Sequence, residues 1–107
     1  MAEEETFELG GNIVLTGFRD LMPGSMTIIK KIVGTYTKGF MEIRSDFQKL
    51  HIVMKAIHQT TDVVKNFHIN ARMEYGGRVL SAEAEDRNLF SAIDNALKKV
   101  EAEARKI

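Results

Sequence analysis

The hydrophobic pattern of the C-terminal third predicts two strands that lead into a helix. Apolar and polar residues alternate over residues 67–75 and again over 79–85, which is the period of a strand with one buried face. The glycine pair 76–77 separates the two runs and can take the positive φ values of a tight hairpin turn. From Leu89 onward the apolar positions recur every three or four residues, which predicts an amphipathic helix. Asp86 stands where an N-cap is expected.

The preceding part of the chain contains three further predicted elements. Residues 12–18 are apolar and β-branched, as is typical of a strand. Residues 26–43 have helical spacing, with Ser25 as the expected N-cap. Gly34 lies inside this helix at a cost of roughly 1 kcal/mol relative to alanine, and close packing on another element would be its usual cause. Residues 47–57 alternate again and predict another strand.

The order β-α-β-β-β-α favours an α+β fold in which a four-stranded sheet carries both helices on one face, as a two-layer sandwich. Residues 1–11 are acidic and are interpreted as a flexible tail, so a single domain is expected over residues 12–107. The sheet face toward the helices is predicted to carry Leu50, Ile52, Met54, Phe67, Ile69, Ala71, Leu80 and Ala82. The opposite face is predicted to be polar, with Lys49, His51, Lys55, His68, Asn70, Arg72, Glu83 and Glu85.

Composition narrows the class of protein. The chain has no cysteine, which removes disulfides and thiolate metal sites. No apolar run approaches the roughly 20 residues of a membrane span, and the acidic N-terminus lacks the pattern of a signal peptide. We therefore expect a cytoplasmic protein without membrane association.

The net charge is zero, but the charges are unevenly distributed. Residues 1–20 contain one basic and five acidic residues, residues 21–72 contain eight and three, and residues 73–107 contain six and seven. The middle segment therefore has a clear basic excess. Attraction to phosphate follows local basic surface, so a local basic face could bind nucleic acid despite the neutral total.

Few residues have a pattern that indicates catalysis. His51 and His68 could face the same side of adjacent strands, but without a third ligand they are interpreted as surface histidines. The acidic cluster of Glu83, Glu85 and Asp86 is explained by a strand edge and a helix cap. No glycine pair matches a phosphate-binding loop. We predict no enzyme, no cofactor and no metal site.

The basic residues of the two predicted helices are the candidate binding residues. On helical wheels Lys31 and Lys38 point away from the core of the first helix, and three basic residues do so on the last, with Lys99 on a flank. The candidate RNA-binding residues are Lys31, Lys38, Arg87, Lys98, Lys99 and Arg105. Acidic residues on the same helices, Glu42, Asp94 and Glu101, dilute this surface.

The segment 80–101 resembles the ribosome hibernation promoting factor and ribosome-associated inhibitor family, whose members are sigma-54 modulation protein-like. The resemblance rests on Asp86, Phe90, the sequence Ala92-Ile93-Asp94 and the sequence Lys98-Lys99-Val100-Glu101. It implies a short-form β-α-β-β-β-α domain that binds ribosomal RNA in the small ribosomal subunit and blocks translation. Longer members of the family add a C-terminal dimerising domain, which this chain is expected to lack.

Two functions from different classes stay open at the level of sequence. The first is a ribosome-associated protein that binds structured RNA by neutralising phosphates and reading shape. The second is a protein-interaction module or homodimer of the same fold, which would use an exposed edge strand or the outer sheet face near Val53 and Ile57. A double-stranded-RNA-binding domain would share much of the topology, but it places lysines at the start of its last helix, where Asp86 stands here.

Overall fold

Seven elements follow one another in the computed structural model, which describes residues 6–9, 11–18, 21, 24–58 and 64–107. The predicted order β-α-β-β-β-α and the α+β fold class are confirmed, with one additional strand at the start. The elements are β1 (Thr6–Leu9), β2 (Ile13–Thr16), α1 (Ser25–Ile43), β3 (Phe47–His58), β4 (Val64–Tyr75), β5 (Arg78–Asp86) and α2 (Leu89–Ala104).

The additional strand β1 corrects the interpretation of residues 1–11 as a flexible tail. Thr6–Leu9 pair antiparallel with β2, so that Thr6 lies opposite Thr16 and Leu9 opposite Ile13. Glutamates dominate the composition of residues 1–11. The short alternation of polar and apolar residues over Thr6–Leu9 is therefore not evident from the sequence. The tail prediction is therefore wrong for Thr6–Leu9, while residues 1–5 and 10 lie outside the described residues.

The sheet has the order β1-β2-β3-β4-β5, in which β2 and β3 are parallel neighbours and the other pairs of described strands are antiparallel. A parallel pair requires a crossover connection, and α1 is that connection. The β4–β5 hairpin turns at Gly76 and Gly77, whose φ values of 50° and 78° confirm the positive φ expected of this pair. The strands therefore follow one another across the sheet in sequence order, and α1 contacts β3 while α2 contacts β4 and β5.

The core lies between the helices and one face of the sheet, as predicted. Leu50, Ile52, Met54, Ile69 and Ala71 are buried, and Phe67, Leu80 and Ala82 are partly buried against them. The same cluster takes its helical members from both helices: Ile29, Val33 and Phe40 from α1, and Leu89, Ala92, Ile93, Ala96, Leu97, Val100 and Ala104 from α2. Both helices therefore cover one face and leave the polar face open.

The two predicted helix caps are each misplaced. Asn88 rather than Asp86 caps α2, because Asp86 still belongs to the β5 ladder and lies opposite Phe67. The Asn88 side chain accepts a hydrogen bond from the Ser91 backbone N–H at 3.0 Å. Before α1 the N-cap is Gly24, with φ 90° and no side-chain cap, and Ser25 is the first helical residue.

Within the described residues, neither helix combines the length and the apolar character needed to cross a membrane.

Candidate nucleic-acid interface

The two helices lie side by side and run in the same direction. The Tyr36 hydroxyl of α1 donates to Asp94 Oδ1 of α2 at 2.8 Å, and further along both helices Gly39 faces the Glu101 carboxylate. Both contacts advance along the two chains together, which fixes the parallel orientation. The outward sides of α1 and α2 therefore form one continuous surface opposite the sheet.

The outer side of α1 is the more basic half of this surface. Lys30, Lys31 and Lys38 are all exposed, and within the described part of the chain none of them forms an ion pair. Lys31 and Lys38 are seven residues apart, so two helical turns place them on the same side, about 10 Å apart along the axis. Glu42 is the one acidic residue of α1. The sequence prediction included Lys31 and Lys38 but missed Lys30, which lies nearer the flank of the wheel.

The outward cations of α2 are partly neutralised by their own helix. Lys98 Nζ lies 3.5 Å from Asp94 Oδ2, and Arg105 Nη2 lies 3.9 Å from Glu101 Oε2, each pair with the spacing i, i+4. Both basic side chains are about two-thirds exposed, at 66% and 64%. Such surface pairs contribute little stability, but they lower the local positive potential. The arrangement therefore places the stronger positive surface on α1.

Lys99 and Arg87 lie apart from the other candidates. The Lys99 ammonium donates to the backbone carbonyl of Glu83 at 2.8 Å, so this side chain extends to β5, the last strand of the sheet, rather than to α1. A lysine over an edge strand is a common protection against pairing with another strand. Arg87 is exposed just before α2, about 25 Å from Arg105 by the helical rise.

The open sheet face carries charges of both signs. A shallow depression there is lined by Val53, Lys55, His68, Asn70, Arg72 and Glu83. His68 Nε2 lies 3.2 Å from Glu83 Oε1, and Asn66 donates to Glu85 at 2.9 Å. The cations Lys55 and Arg72 lie on β3 and β4, whereas the carboxylates of Glu83 and Glu85 lie on β5. Within the described residues this face therefore carries both signs of charge rather than the single sign that attracts a polyanion.

The histidines of this face do not meet. His51 lies opposite Arg72 and accepts or donates a 2.8 Å hydrogen bond with Thr16 Oγ1. His68 lies opposite Lys55, four positions further along β3, or about 13 Å away. Among the residues that the structure describes, no group of three metal-ligating side chains is present.

Burial of the Tyr36 hydroxyl, together with its contact with Asp94, raises the pKa of this group well above its usual value of 10.0. Burial is the largest cause, followed by the hydrogen bond to Asp94 and the negative charges of Asp94 and Glu101. The native state therefore stabilises the neutral, protonated form of the Tyr36 phenol. A raised native pKa means that this contribution to stability is complete below about pH 10 and is lost as the pH rises beyond it.

We expect Tyr36→Phe to lower the free energy of unfolding by about 1 kcal/mol at neutral pH, since it removes one partly buried hydrogen bond. Above pH 10 the variant should lose stability less steeply than the parent, because it lacks the phenol that must ionise. Chemical denaturation at pH 7 and at several values between 9 and 11 measures both effects. Parallel pH profiles for the two proteins would contradict this account of the contact.

Comparison with known proteins places the chain in a family. The model of the family described as "Sigma 54 modulation protein / S30EA ribosomal protein" matches residues 27–107. A search of curated proteins finds no match. Solved structures that share the fold include the following two. The N-terminal domain of Protein Y from Thermus thermophilus is 19% identical with a TM-score of 0.58, over 74% of this chain and 81% of that one.

The second structure is a ribosomal subunit interface protein from Coxiella burnetii. It is 16% identical with a TM-score of 0.55, and the alignment covers 89% of this chain and 92% of that one. At these identities the two structures support the fold, and the family match supplies the relationship. The family resemblance seen in the sequence is thus confirmed, and the chain belongs to the family of sigma-54 modulation and S30EA ribosomal proteins.

Proposed function

We propose that this protein binds the small ribosomal subunit through structured ribosomal RNA and thereby modulates translation. Membership of a family described as ribosomal supports the association, and so does the likeness to a protein described as a ribosomal subunit interface protein. The proposed binding surface is the outer side of α1, and its exposed lysines are the observation that supports this choice. Its three exposed lysines form no ion pair within the described residues, so their charge is available to phosphate.

The mechanism is phosphate neutralisation by a rigid helical surface. Lys31 and Lys38 on α1, with Lys98 and Arg105 on α2, each contact a phosphate, and Lys30 extends the row on α1. Each contact releases condensed counterions from the RNA, so affinity falls as salt rises. Lysine and arginine on one side of two parallel helices bind backbone charge and not base edges, which favours recognition of shape over sequence.

The remaining candidates have peripheral roles in this proposal. Arg87 reaches RNA beyond the N-terminal end of α2, and Lys99 contacts it at the rim if its bond to the Glu83 carbonyl is released. The protein acts in the cytoplasm as a binding factor and not as an enzyme.

The alternative of a homodimer or protein-interaction module stays a prediction. The hydrogen bond from Lys99 to the Glu83 carbonyl occupies a backbone acceptor of β5, and a strand added at this edge would have to displace the lysine. Among the described residues of the open face, the apolar side chains of Val53 and Val79 lie on different strands beside charged residues, which gives a partner little continuous apolar surface. These features favour the RNA-binding proposal.

Co-sedimentation with small ribosomal subunits across a salt series tests the proposal. We expect the parent to bind at low salt and to dissociate steeply as salt rises, with a log–log slope close to the number of phosphate contacts. The double variant Lys55→Gln with Arg72→Gln removes two cations from the open sheet face and should bind like the parent. Parent protein that stays free of subunits at low salt, with concentration-dependent self-association in sedimentation velocity, would favour the alternative.

A further inference from the structure

Gly34 occupies a position in α1 that neither packing nor backbone geometry explains. It lies in the middle of the helix and it is exposed. Apart from its own chain neighbours and the adjacent backbone of α1, no described heavy atom lies within 4 Å of the place where a Cβ would stand. Its φ is not in the positive range that favours glycine. The close packing that is the usual cause of a glycine inside a helix is therefore absent at Gly34 among the described residues. Glycine is among the poorest helix formers, so its presence here weakens the helix without a benefit inside the described fold.

Gly34 is surrounded by the three lysines of α1, none of which forms an ion pair with another described residue. Lys30 and Lys31 precede it by four and three residues, and Lys38 follows it by four. Residues three and four apart are neighbours on a helix surface. Gly34 therefore exposes a bare patch of helix backbone. Two lysines flank this patch on the preceding turn of the helix, and a third lies on the next turn.

We propose that Gly34 is the point where the sugar–phosphate backbone of RNA packs directly against α1, with its phosphates bound by Lys30, Lys31 and Lys38. This inference deepens the proposed function and rests on it. A missing Cβ lets a ligand approach the helix backbone more closely than any other residue would allow. Lysine stems are long and flexible, so ammonium groups from the two adjacent turns can converge on phosphates above the glycine.

The chemistry of the patch favours a polyanion over a protein segment as the occupant. Its three cations are compact ammonium groups without a carboxylate partner among the described residues, and the bare helix between them offers no apolar side chain at its centre. Phosphodiester RNA supplies regularly spaced negative charges on a narrow strand. A helix docking on this patch would bury the lysines beside few apolar groups, which costs free energy.

Gly39 supplies a matched control within the same helix. It also has an ordinary helical φ, but it is half-buried and faces α2. A Cβ there would stand 3.6 Å from Glu101 Oε2, which is normal van der Waals distance. Gly39→Ala therefore stiffens α1 in the same way as Gly34→Ala without changing the patch.

The test compares Gly34→Ala, Gly34→Gln and Gly39→Ala in thermal melts and in salt-dependent binding to small ribosomal subunits. Both alanine variants should melt at least about 4 °C higher than the parent, since alanine is the better helix former. Only the Gly34 variants should bind more weakly. We expect a loss of about tenfold for Gly34→Gln, with a log–log salt slope lower by about one, and a smaller loss for Gly34→Ala.

The outcomes separate this inference from the proposed function. If the parent binds and Gly34→Gln binds equally well, the inference is wrong and the proposed function stands. If Gly39→Ala weakens binding as much as Gly34→Ala, helix stiffness rather than the bare patch controls affinity, and the inference is again wrong. If the parent does not bind at all, the proposed function fails first and the inference fails with it.

Discussion

A double charge reversal on α1, Lys31→Glu with Lys38→Glu, is expected to remove most of the binding to small ribosomal subunits. Both side chains are exposed on the same side of the helix and form no ion pair among the described residues. The variant loses two phosphate contacts and places two negative charges against the RNA. The net charge of the protein falls from zero to about −4, and the slope of log affinity against log salt should fall by about two.

The fold should tolerate this reversal. Both positions point away from the core, so the free energy of unfolding should change by no more than about 0.5 kcal/mol. A new carboxylate at position 38 would stand four residues before Glu42, which costs a few tenths of a kcal/mol. A thermal melt close to that of the parent is therefore the control, and a large drop would mean that the binding assay is reporting unfolding.

The corresponding reversal on α2, Lys98→Glu with Arg105→Glu, should weaken binding less. Asp94 and Glu101 already pair with these cations at 3.5 and 3.9 Å, so the parent surface is less positive there. The α2 reversal changes the net charge by about the same four units as the α1 reversal, but the contact that it removes from the RNA is weaker. If the α2 reversal costs more affinity than the α1 reversal, the interface is centred on α2 and the assignment to α1 is wrong.

The elements that the sequence predicts well are those whose burial is periodic. Leu50, Ile52 and Met54 alternate with His51, Val53 and Lys55, and the buried side of the sheet follows from this period of two even though Val53 is apolar. Strand β1 escaped prediction because four residues are too few to establish a period beside a run of glutamates. The helix caps were misplaced by one or two residues because Asp86 is as good a cap as Asn88 by residue type, and only the β5 ladder excludes it.

The candidate site likewise combines features that the sequence predicts with features that it does not. The outward direction of Lys31, Lys38, Lys98 and Arg105 follows from helical spacing, and the i, i+4 partners of the last two are also visible in the sequence. The bond from Lys99 to the Glu83 carbonyl and the bond from Tyr36 to Asp94 join positions 16 and 58 residues apart. Such contacts depend on how the helices pack on the sheet, so no local pattern predicts them. The exposure of Gly34 likewise follows only from the three-dimensional structure around it.

Ile93→Ala is expected to cost about 2–5 kcal/mol of the free energy of unfolding, the range for a large-to-small change at a buried position. Ile93 is fully buried in the core cluster, while its neighbour Asp94 points to α1 and binds Tyr36. The shorter side chain leaves a cavity between α2 and the sheet that the surrounding strands can fill only in part. The melting temperature should fall by about 10 °C or more.

The matched control for Ile93→Ala is Asn95→Ala, two residues further along α2. Asn95 is exposed, and alanine is the better helix former, so this variant should melt at the parent temperature or slightly above it. Binding to small ribosomal subunits well below the melting temperature should be unchanged in both variants, since neither alters the basic surface. Equal melting temperatures for the two variants would mean that Ile93 is as exposed to solvent as Asn95. This side of α2 would then not pack on the sheet.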